Sequence, residues 1–596
     1  MDIYKNKVEK LEAEIRRLKS RNKFFVSAEI ISFLAAAAFI VAVCAQSIGS
    51  IGLIIAFLLL AIYAFIRRID SKNSETAEHY GNLRMVYEKE IAYHDGDFSH
   101  FDAGERYADP SHEFSFDMDI FGKESLYNRI NRTITTGGSD FLAGELSDCR
   151  VRRLDDIRRR REAVNELAGR LELRADFLSF GQKETIDTEK INRALEQAKT
   201  ISIPRFAGSS LALATAILVI LGFYVSLILA IIGIAGANLP IWWGVIQFFV
   251  IFMAVSRPIK EITKVVGCVH AQLKSYIRLI ETIAASGLEA EENKSIIAML
   301  SSDESDALLS FKELKDIIDG LDRRANILGL FVFNILFLSD FFLVRRFLKW
   351  QDKYMPVIDR WIEAVNRFDA ITSMATFRYN EPEATDAELV ESDSLIYHAE
   401  GIYHPFLGKK AVANDFDIDD GNYYIVTGAN MAGKSTFLRS IGINYILASN
   451  GMPVFARKLS ASLFSLFSSM RTTDDLSHGI SYFNAELLRL RQLAEYCRKN
   501  KHTLIILDEI LKGTNSLDKL NGSRLFLQFI SSLPVTGIIA IHDLELSQME
   551  KENPDRFHNY CFEIELSEDV RYSYKITKGV ARNQNATFLL KKFLSI

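Results

Sequence analysis

The sequence lacks three features that would settle its class at once. It has no CxxC pair and no metal-type cysteine spacing: Cys44, Cys149, Cys268, Cys497 and Cys561 are dispersed and odd in number. That excludes a disulfide scaffold and a zinc ribbon, and reads as free thiols in a reducing compartment. It has no surplus of positive charge. With a net charge of −5 there is no global pull toward nucleic acid, so any DNA contact needs a local basic surface. A cleavable signal peptide is also missing: the first 23 residues are highly charged, and no small-residue cleavage site follows the first apolar run. At 596 residues the chain is too long for one hydrophobic core, and two or three folded units are expected.

What is present is unevenly spread. Over residues 1–23, Tyr4, Val8, Leu11, Ile15 and Leu18 alternate at spacings of four and three between Lys, Glu and Arg, which predicts a charged amphipathic or coiled-coil helix. Two apolar runs follow, Ile30 to Ala45 and Ile51 to Ile66, each close to the ~20 residues that cross a bilayer core. Lys19, Arg21 and Lys23 precede the pair and Arg67 and Arg68 follow it, so the positive-inside rule places both ends in the cytoplasm. A second pair runs from Ser209 to Gly236 and from Ile241 to Val255, turning at Asn238 and Pro240. Arg205, Arg257 and Lys260 flank it, and Trp242 and Trp243 suit an interfacial belt. The expectation is a multi-pass membrane protein with four spans and the lipid bilayer as a partner. A fifth run, Ile327 to Val344, contains Asn334 and Asp340. A mid-bilayer carboxylate is costly, and an odd span would carry the C-terminal half to the far side, so this run reads as a buried core helix.

Near residue 400 the pattern changes to alternating strands and helices. "NYYIVTG" reads as a strand and "KSTFLRSIGINYIL" as a helix; between them Gly428-x4-Gly433-Lys434-Ser435 has the P-loop spacing. The loop Gly428, Ala429, Asn430, Met431, Ala432, Gly433, Lys434, Ser435, Thr436 would turn backbone N–H groups toward the β-phosphate. Lys434 would reach the β/γ oxygens and Ser435 would ligate Mg²⁺. "HTLIILDEI" supplies a buried strand with Asp508 at its carboxyl end, where Mg²⁺ sits, and Glu509 next to it to orient or deprotonate water. "GIIAIHD" is a further strand ending in His542, placed to sense a γ-phosphate. ATP and Mg²⁺ are the cofactors these motifs imply, and Lys434, Glu509 and His542 the catalytic candidates.

With these residues on the page, a family resemblance becomes specific. "TGANMAGKST", "LIILDEILKGTNSLD" and "AIHDLEL" resemble the ATPase domain of the MutS mismatch-repair family. "YHPFLGKKAVANDFDI" is similar to its opening segment, with His404, Pro405 and Asn414, and "YSYKITKGVARNQNATFLLKKF" to its closing one, where Asn583-Gln584-Asn585 departs from the usual pattern. "SSMRTTDDLSHGISYFNAELLRL" resembles the segment between the two nucleotide motifs. There the resemblance implies that Ser481, with Phe483 and Glu486, reaches the nucleotide of a partner subunit, and so implies a homodimer. "MDIFGKESLYNRINRTITTGGSDFLAGEL" and "NILFLSDFFLVRRFLKW" look like the two ends of the family's helical core, or lever.

The implied fold is an α/β P-loop ATPase domain of ABC type joined to a mainly α-helical MutS-like core, with transmembrane hairpins. The implied boundaries are a charged helix over 1–23, a first hairpin over 24–68, a linker over 69–106, a core over 107–400 carrying the second hairpin at about 209–255, and the ATPase domain over 401–596. Two parts of the family pattern are replaced. The N-terminal recognition domain with its Phe-x-Glu wedge gives way to a helix and hairpin, and the DNA clamp gives way to Ser209–Val255. Phe311-Lys312-Glu313 lies inside a helical stretch of the core and is given no role. The local basic candidate is Arg150, Arg152, Arg153 and Arg158 to Arg161, interrupted by Asp155 and Asp156. The family habit implies DNA as a ligand. The competing readings are an ABC-type transporter, opposed by the short interval between Lys434 and Asp508, and a nucleotide-gated membrane scaffold without turnover.

Overall fold

The computed structural model describes residues 1–45, 48–49, 51–201, 205–267, 270–301, 305–324, 327–471, 482–566 and 570–582. It begins with two long antiparallel helices, α1 (Asp2–Cys44) and α2 (Ile51–His94). At 1.5 Å per residue each is about 65 Å long. The heptad-like seam is realised within the chain: Tyr4, Ile15 and Leu18 are buried, and Asn73 on α2 donates to the Leu18 carbonyl at 3.0 Å. The charged helix and the first apolar run therefore form one element. The expected linker differs too, since α2 continues unbroken to His94. A one-sided apolar seam needs no break where the outward face changes from apolar to charged.

A helical body follows, made of α3 (Leu126–Ile130), α4 (Thr136–Leu146), α5 (Leu154–Ala168), α6 (Leu171–Ser179), α7 (Thr188–Thr200), α8 (Ser210–Ile231), α9 (Asn238–Gly267), α10 (His270–Ala284), α11 (Glu291–Leu300), α12 (Ala307–Arg324), α13 (Ile327–Phe337), α14 (Ser339–Tyr354) and α15 (Ile358–Asn380). Its centre is α15, buried on most of its surface. Gly137 and Gly138 let the first turn of α4 lie directly on it: a Cβ on Gly138 would fall 2.3 Å from Asp369 Oδ2. Asp369 in turn accepts from the Ile134 and Thr135 amides and the Thr135 hydroxyl. Burial raises its pKa to about 7. Phe311 is a core residue, packed between Tyr276 and Trp361.

The roots of the N-terminal hairpin are fused to this body by a buried polar network. The Arg132 guanidinium donates to both oxygens of Glu90 on α2 at 3.1 Å, Asn380 donates to Glu90 at 2.6 Å, and Tyr4 on α1 donates to Asn380 at 2.8 Å.

Among the described residues, four helices, α1, α2, α8 and α9, are long and apolar enough to cross a membrane by length and composition. Their apolar stretches are exposed: Phe33, Phe57, Leu218, Ile231, Trp242 and Met253 all face outward. The fifth run corrects the sequence reading. It is not one buried helix but two, broken at Leu338 with φ 49°. The polar residues make the break: Asn334 accepts from the Asp340 amide at 2.9 Å, and Arg324 pairs with Asp340 at 2.8 Å. α14 enters the core, whereas α13 lies against α9 with Phe331, Val332, Phe333 and Phe337 exposed.

From residue 388 the chain is α/β. A four-stranded sheet has the order β1 (Glu388–Val390), β5 (Lys458–Ser462), β2 (Ile396–Ile402), β3 (Asn414–Asp419). A six-stranded sheet has the order β10 (Val570–Lys578), β9 (Phe557–Leu566), β4 (Tyr423–Gly428), β8 (Val535–Ala540), β7 (Thr503–Asp508), β6 (Ser465–Ser469). Strands β4, β7 and β8 are apolar on both faces because α16 (Lys434–Ser449) covers one side and α17 (Tyr482–Lys499) and α18 (Ser516–Ile530) the other. Their parallel register brings Val426, Asp508 and Ala540 to one edge. The last helix among the described residues, α19 (Met549–Glu552), is a single turn.

Arg132→Ala would leave Glu90 buried without its counter-charge and is expected to destabilise the protein by roughly 3–5 kcal/mol. The measurement is the thermal unfolding midpoint of the purified variant; an unchanged midpoint contradicts the fusion of hairpin and core described above.

Candidate nucleotide site

The site is built where β4 ends. Ligands bind open parallel sheets at the carboxyl ends of the strands, and the loop there uses conformations that favour glycine: Gly433 has φ 105° and caps α16. A Cβ on Gly433 would press on Tyr574 at 3.1 Å, and one on Gly428 would meet the Phe562 carbonyl at 3.0 Å. These two glycines therefore allow the loop to pack closely on β9 and β10. α16 points its unpaired N–H groups into the same space, which favours an anion.

Lys434 is buried, and its Nζ donates to the Gly428 and Ala429 carbonyls at 2.8 and 3.2 Å. Burial pulls its pKa below the ordinary lysine value, while Asp508 and Glu509 work to hold the proton on. Glu509, with φ 59°, leans toward β8, and its carboxylate lies 2.7 Å from His542 Nε2. That nitrogen is also 3.3 Å from Lys434 Nζ. One ring nitrogen cannot donate and accept at once, and the shorter contact assigns its proton toward Glu509. The hydrogen bond from His542, followed by the charges of Lys512 and Lys519 against the cost of burial, lowers the Glu509 pKa to about 2. Glu509 is thus ionised, fixed in direction, and tied to a residue just beyond the end of the neighbouring strand.

Ala429 to Thr436, Asp508, Glu509, His542 and His404 line one cavity of about 650 Å³, and Gly428 contributes its carbonyl to Lys434. His404 is neutral: burial and then Arg439 bring its pKa to about 4, and its Nδ1 accepts from the Phe406 amide. The half-buried Ser435 hydroxyl and the Asp508 carboxylate both open on this space. Hard oxygen donors beside a phosphate-binding loop suit Mg²⁺ with a nucleotide. Ser481 lies outside the described residues.

Several residues escape sequence reasoning. Tyr574 joins the wall from a distant segment, its carbonyl accepting at 3.1 Å from Asn414, which the sequence had singled out; no local pattern announces such a meeting. Lys512 and Lys519 follow Glu509 closely enough that their spacing could have been used. Glu486 has partners within its own chain. It is buried, and it accepts from the Lys512 and Gly513 amides at 2.9 and 3.3 Å, bracing the loop after β7 in its own chain. Phe483 does face outward.

The site is coupled to the helical body through Asp117 and Asp119. Arg439, one turn along α16 from the loop, donates to the Asp117 carbonyl at 2.9 Å and pairs with Asp119 at 3.2 Å. Arg471 pairs with Asp119 and donates its amide to Asp117. The arginine cluster proposed for phosphates is largely engaged by acids: Arg152 and Arg160 with Glu145, Arg160 with Glu292, Arg159 with Glu291 and Arg150 with Asp148. Such pairing neutralises the surface that DNA would need.

Because its folded pKa is depressed, Glu509 stabilises the protein fully above its unfolded value of about 4.3 and loses that contribution as pH falls toward about 2. The difference in unfolding midpoint between the parent protein and Glu509→Gln is therefore expected to be constant above about pH 5 and to shrink below it. A difference independent of pH down to the acid limit contradicts the His542 contact.

Comparison with known proteins agrees with this geometry. Residues 424–588 match the family model for MutS domain V. The chain is 30% identical over 227 residues to the DNA mismatch repair protein MutS of Acetivibrio thermocellus, covering 36% of this chain and 25% of that protein. It is 29% identical over 220 residues to the human MutS protein homolog 4, covering 35% and 22%, and 31% identical over 232 residues to the MutS of Halothermothrix orenii, covering 36% and 25%. The chain spans about a quarter of the length of the curated relatives it matches. The likeness to the MutS family is thus confined to the C-terminal part of the chain, residues 424–588 of which match its domain V.

Proposed function

We propose that the protein is a membrane-anchored, MutS-like ATPase that works as a homodimer and converts nucleotide binding into movement of its helical body. The observation that carries this reading is the convergence of Lys434, Asp508, Glu509 and His542 on one phosphate-shaped loop. Bound ATP with Mg²⁺ would supply a phosphoanhydride whose cleavage releases the closed state. Lys434 would exchange its carbonyl partners for phosphate oxygens, and Ser435 and Asp508 would hold the cation. Glu509, ionised and aimed by His542, would orient the attacking water. Ser481 of the neighbouring subunit would complete each site, so binding closes the dimer.

The support for membrane anchoring is the exposure of the apolar stretches on α1, α2, α8 and α9. As a water-facing surface these would form an aggregation-prone patch far larger than a soluble monomer carries. Movement at α16 would pass through Arg439 and Arg471 to Asp117 and Asp119, and thence to the body that roots both hairpins. The names of the relatives favour DNA as the load, whereas the paired arginines count against it.

Glu509→Gln is expected to lower ATP turnover by at least about 100-fold while keeping ATP bound, and Lys434→Ala to abolish binding. Unchanged turnover in the first variant contradicts the catalytic assignment. Turnover compared with mismatched duplex, homoduplex and lipid vesicles identifies the load: stimulation by the mismatch alone assigns nucleic acid, and stimulation by vesicles alone assigns the bilayer.

A further inference from the structure

Between α12 and α14 the chain leaves the helical body and comes back. α13 climbs beside α9: Phe331 stacks on Phe248 with ring centroids 4.5 Å apart, and one turn later Ile335 lies 3.0 Å from where a Cβ on Gly244 would be. The direction is toward the tip of the second hairpin, and both contacts fall inside the apolar run from Ile241 to Val255. After the break at Leu338, α14 returns alongside α12, with Leu343 2.4 Å from a Cβ built on Gly320.

The surface of this excursion is apolar all round. From Ile327 to Leu338 the one polar side chain is Asn334, which is buried, whereas Phe331, Val332, Phe333 and Phe337 are exposed. A helix without a polar face belongs inside a protein or inside a bilayer, and among the described residues nothing covers this face.

The hydrogen bonding at the break indicates which surrounding it has. A helix end facing water leaves its last carbonyls to solvent. Here side chains of the second hairpin meet them: Gln247 on α9 donates to the Ile335 and Asn334 carbonyls at 2.8 and 3.4 Å, and Tyr224 on α8 to the Leu336 carbonyl at 3.3 Å. Asn334 donates to the Leu330 carbonyl and accepts from the Asp340 amide, both at 2.9 Å. Leu338, the residue outside the helical conformation, is fully buried. Arg324 pairs with Asp340, so the carboxylate after the break has its counter-charge. Irregular backbone at membrane depth is tolerated only where protein covers it and its polar groups are met internally.

We propose that α13, the break and the start of α14 form a re-entrant loop immersed in the bilayer, with Phe331, Val332, Phe333 and Phe337 in contact with lipid acyl chains. The proposal rests on the membrane reading of α8 and α9 and extends it to a fifth element. A loop that enters and leaves on the same side keeps the C-terminal half on the side of the hairpin roots, which a fifth span would not.

The first test uses the unmodified full chain in phosphatidylcholine vesicles that contain a phosphatidylcholine with a diazirine in its acyl chain. After photolysis, mapped peptides are expected to carry adducts on 331–337 as well as on the apolar halves of α8 and α9. Adducts on α8 and α9 with none on 331–337 overturn the loop and leave the membrane reading standing; adducts on none of them overturn both. The second test places a nitroxide at Phe333→Cys, at Leu218→Cys on α8 and at Leu309→Cys on α12, in a variant free of native cysteines, and compares collision with oxygen and with a water-soluble nickel chelate. The oxygen-to-nickel ratio at Phe333→Cys should match that at Leu218→Cys and exceed that at Leu309→Cys by about tenfold, because the polar chelate is excluded from hydrocarbon. A ratio at Phe333→Cys equal to that at Leu309→Cys, or a label there closed to both reagents because a second copy of the chain covers it, overturns the loop.

Discussion

One buried charge pair organises the molecule. Arg132 and Glu90 meet with almost no access to water, and Asn380 and Tyr4 complete their hydrogen bonding. An isolated charge in that position would be intolerable, so the four groups must arrive together. They come from both roots of the N-terminal hairpin, from the start of the helical body and from the last turn of α15, which leads directly into β1. The consequence is mechanical. The apolar hairpin, the helical body and the entry to the α/β domain share one fixed joint.

A second joint lies at the other end of the same body. Asp117 and Asp119 hold Arg439 on α16 and Arg471 ahead of the segment that leads to Ser481. A shift of α16 would therefore not stay local, because Met118 sits against Gly442 so closely that a Cβ there would lie 2.5 Å from its sulfur. Close packing of this kind transmits displacement rather than absorbing it. The α9 helix extends the path, running unbroken from its exposed apolar half to Ile259 and Ile262 inside the core. These joints give an explicit route from the nucleotide loop to both apolar hairpins.

Much of this was legible in the sequence, and the reasons differ by element. The strands β4, β7 and β8 announced themselves as short apolar runs because burial on both faces removes any alternation. The phosphate loop was legible because its backbone geometry demands glycine at Gly428 and Gly433. The seam of Tyr4, Ile15 and Leu18 was visible as spacing, although its partner proved to be α2. The break at Leu338 was hidden: Asn334 and Asp340 looked like blemishes in a buried helix, when they are the groups that satisfy a helix end. The meeting of Tyr574 with Gly433, and the inward turn of Glu486, depend on segments far apart in the chain and leave no local trace. The pairing within the arginine cluster was hidden for the same reason, since Glu291 and Glu292 reach it from α11.

The proposed function requires that α1, α2, α8 and α9 cross a bilayer as two pairs, with both tips on the side opposite the nucleotide site. Single cysteines at Ile48 and Ala235, at the two tips, and at Ser532, on the α/β domain, test this directly when a membrane-impermeant maleimide is applied to intact cells and to inside-out vesicles of a variant free of native cysteines. The prediction is that Ile48→Cys and Ala235→Cys label only in cells and Ser532→Cys only in inverted vesicles; labelling of all three from one side would contradict it.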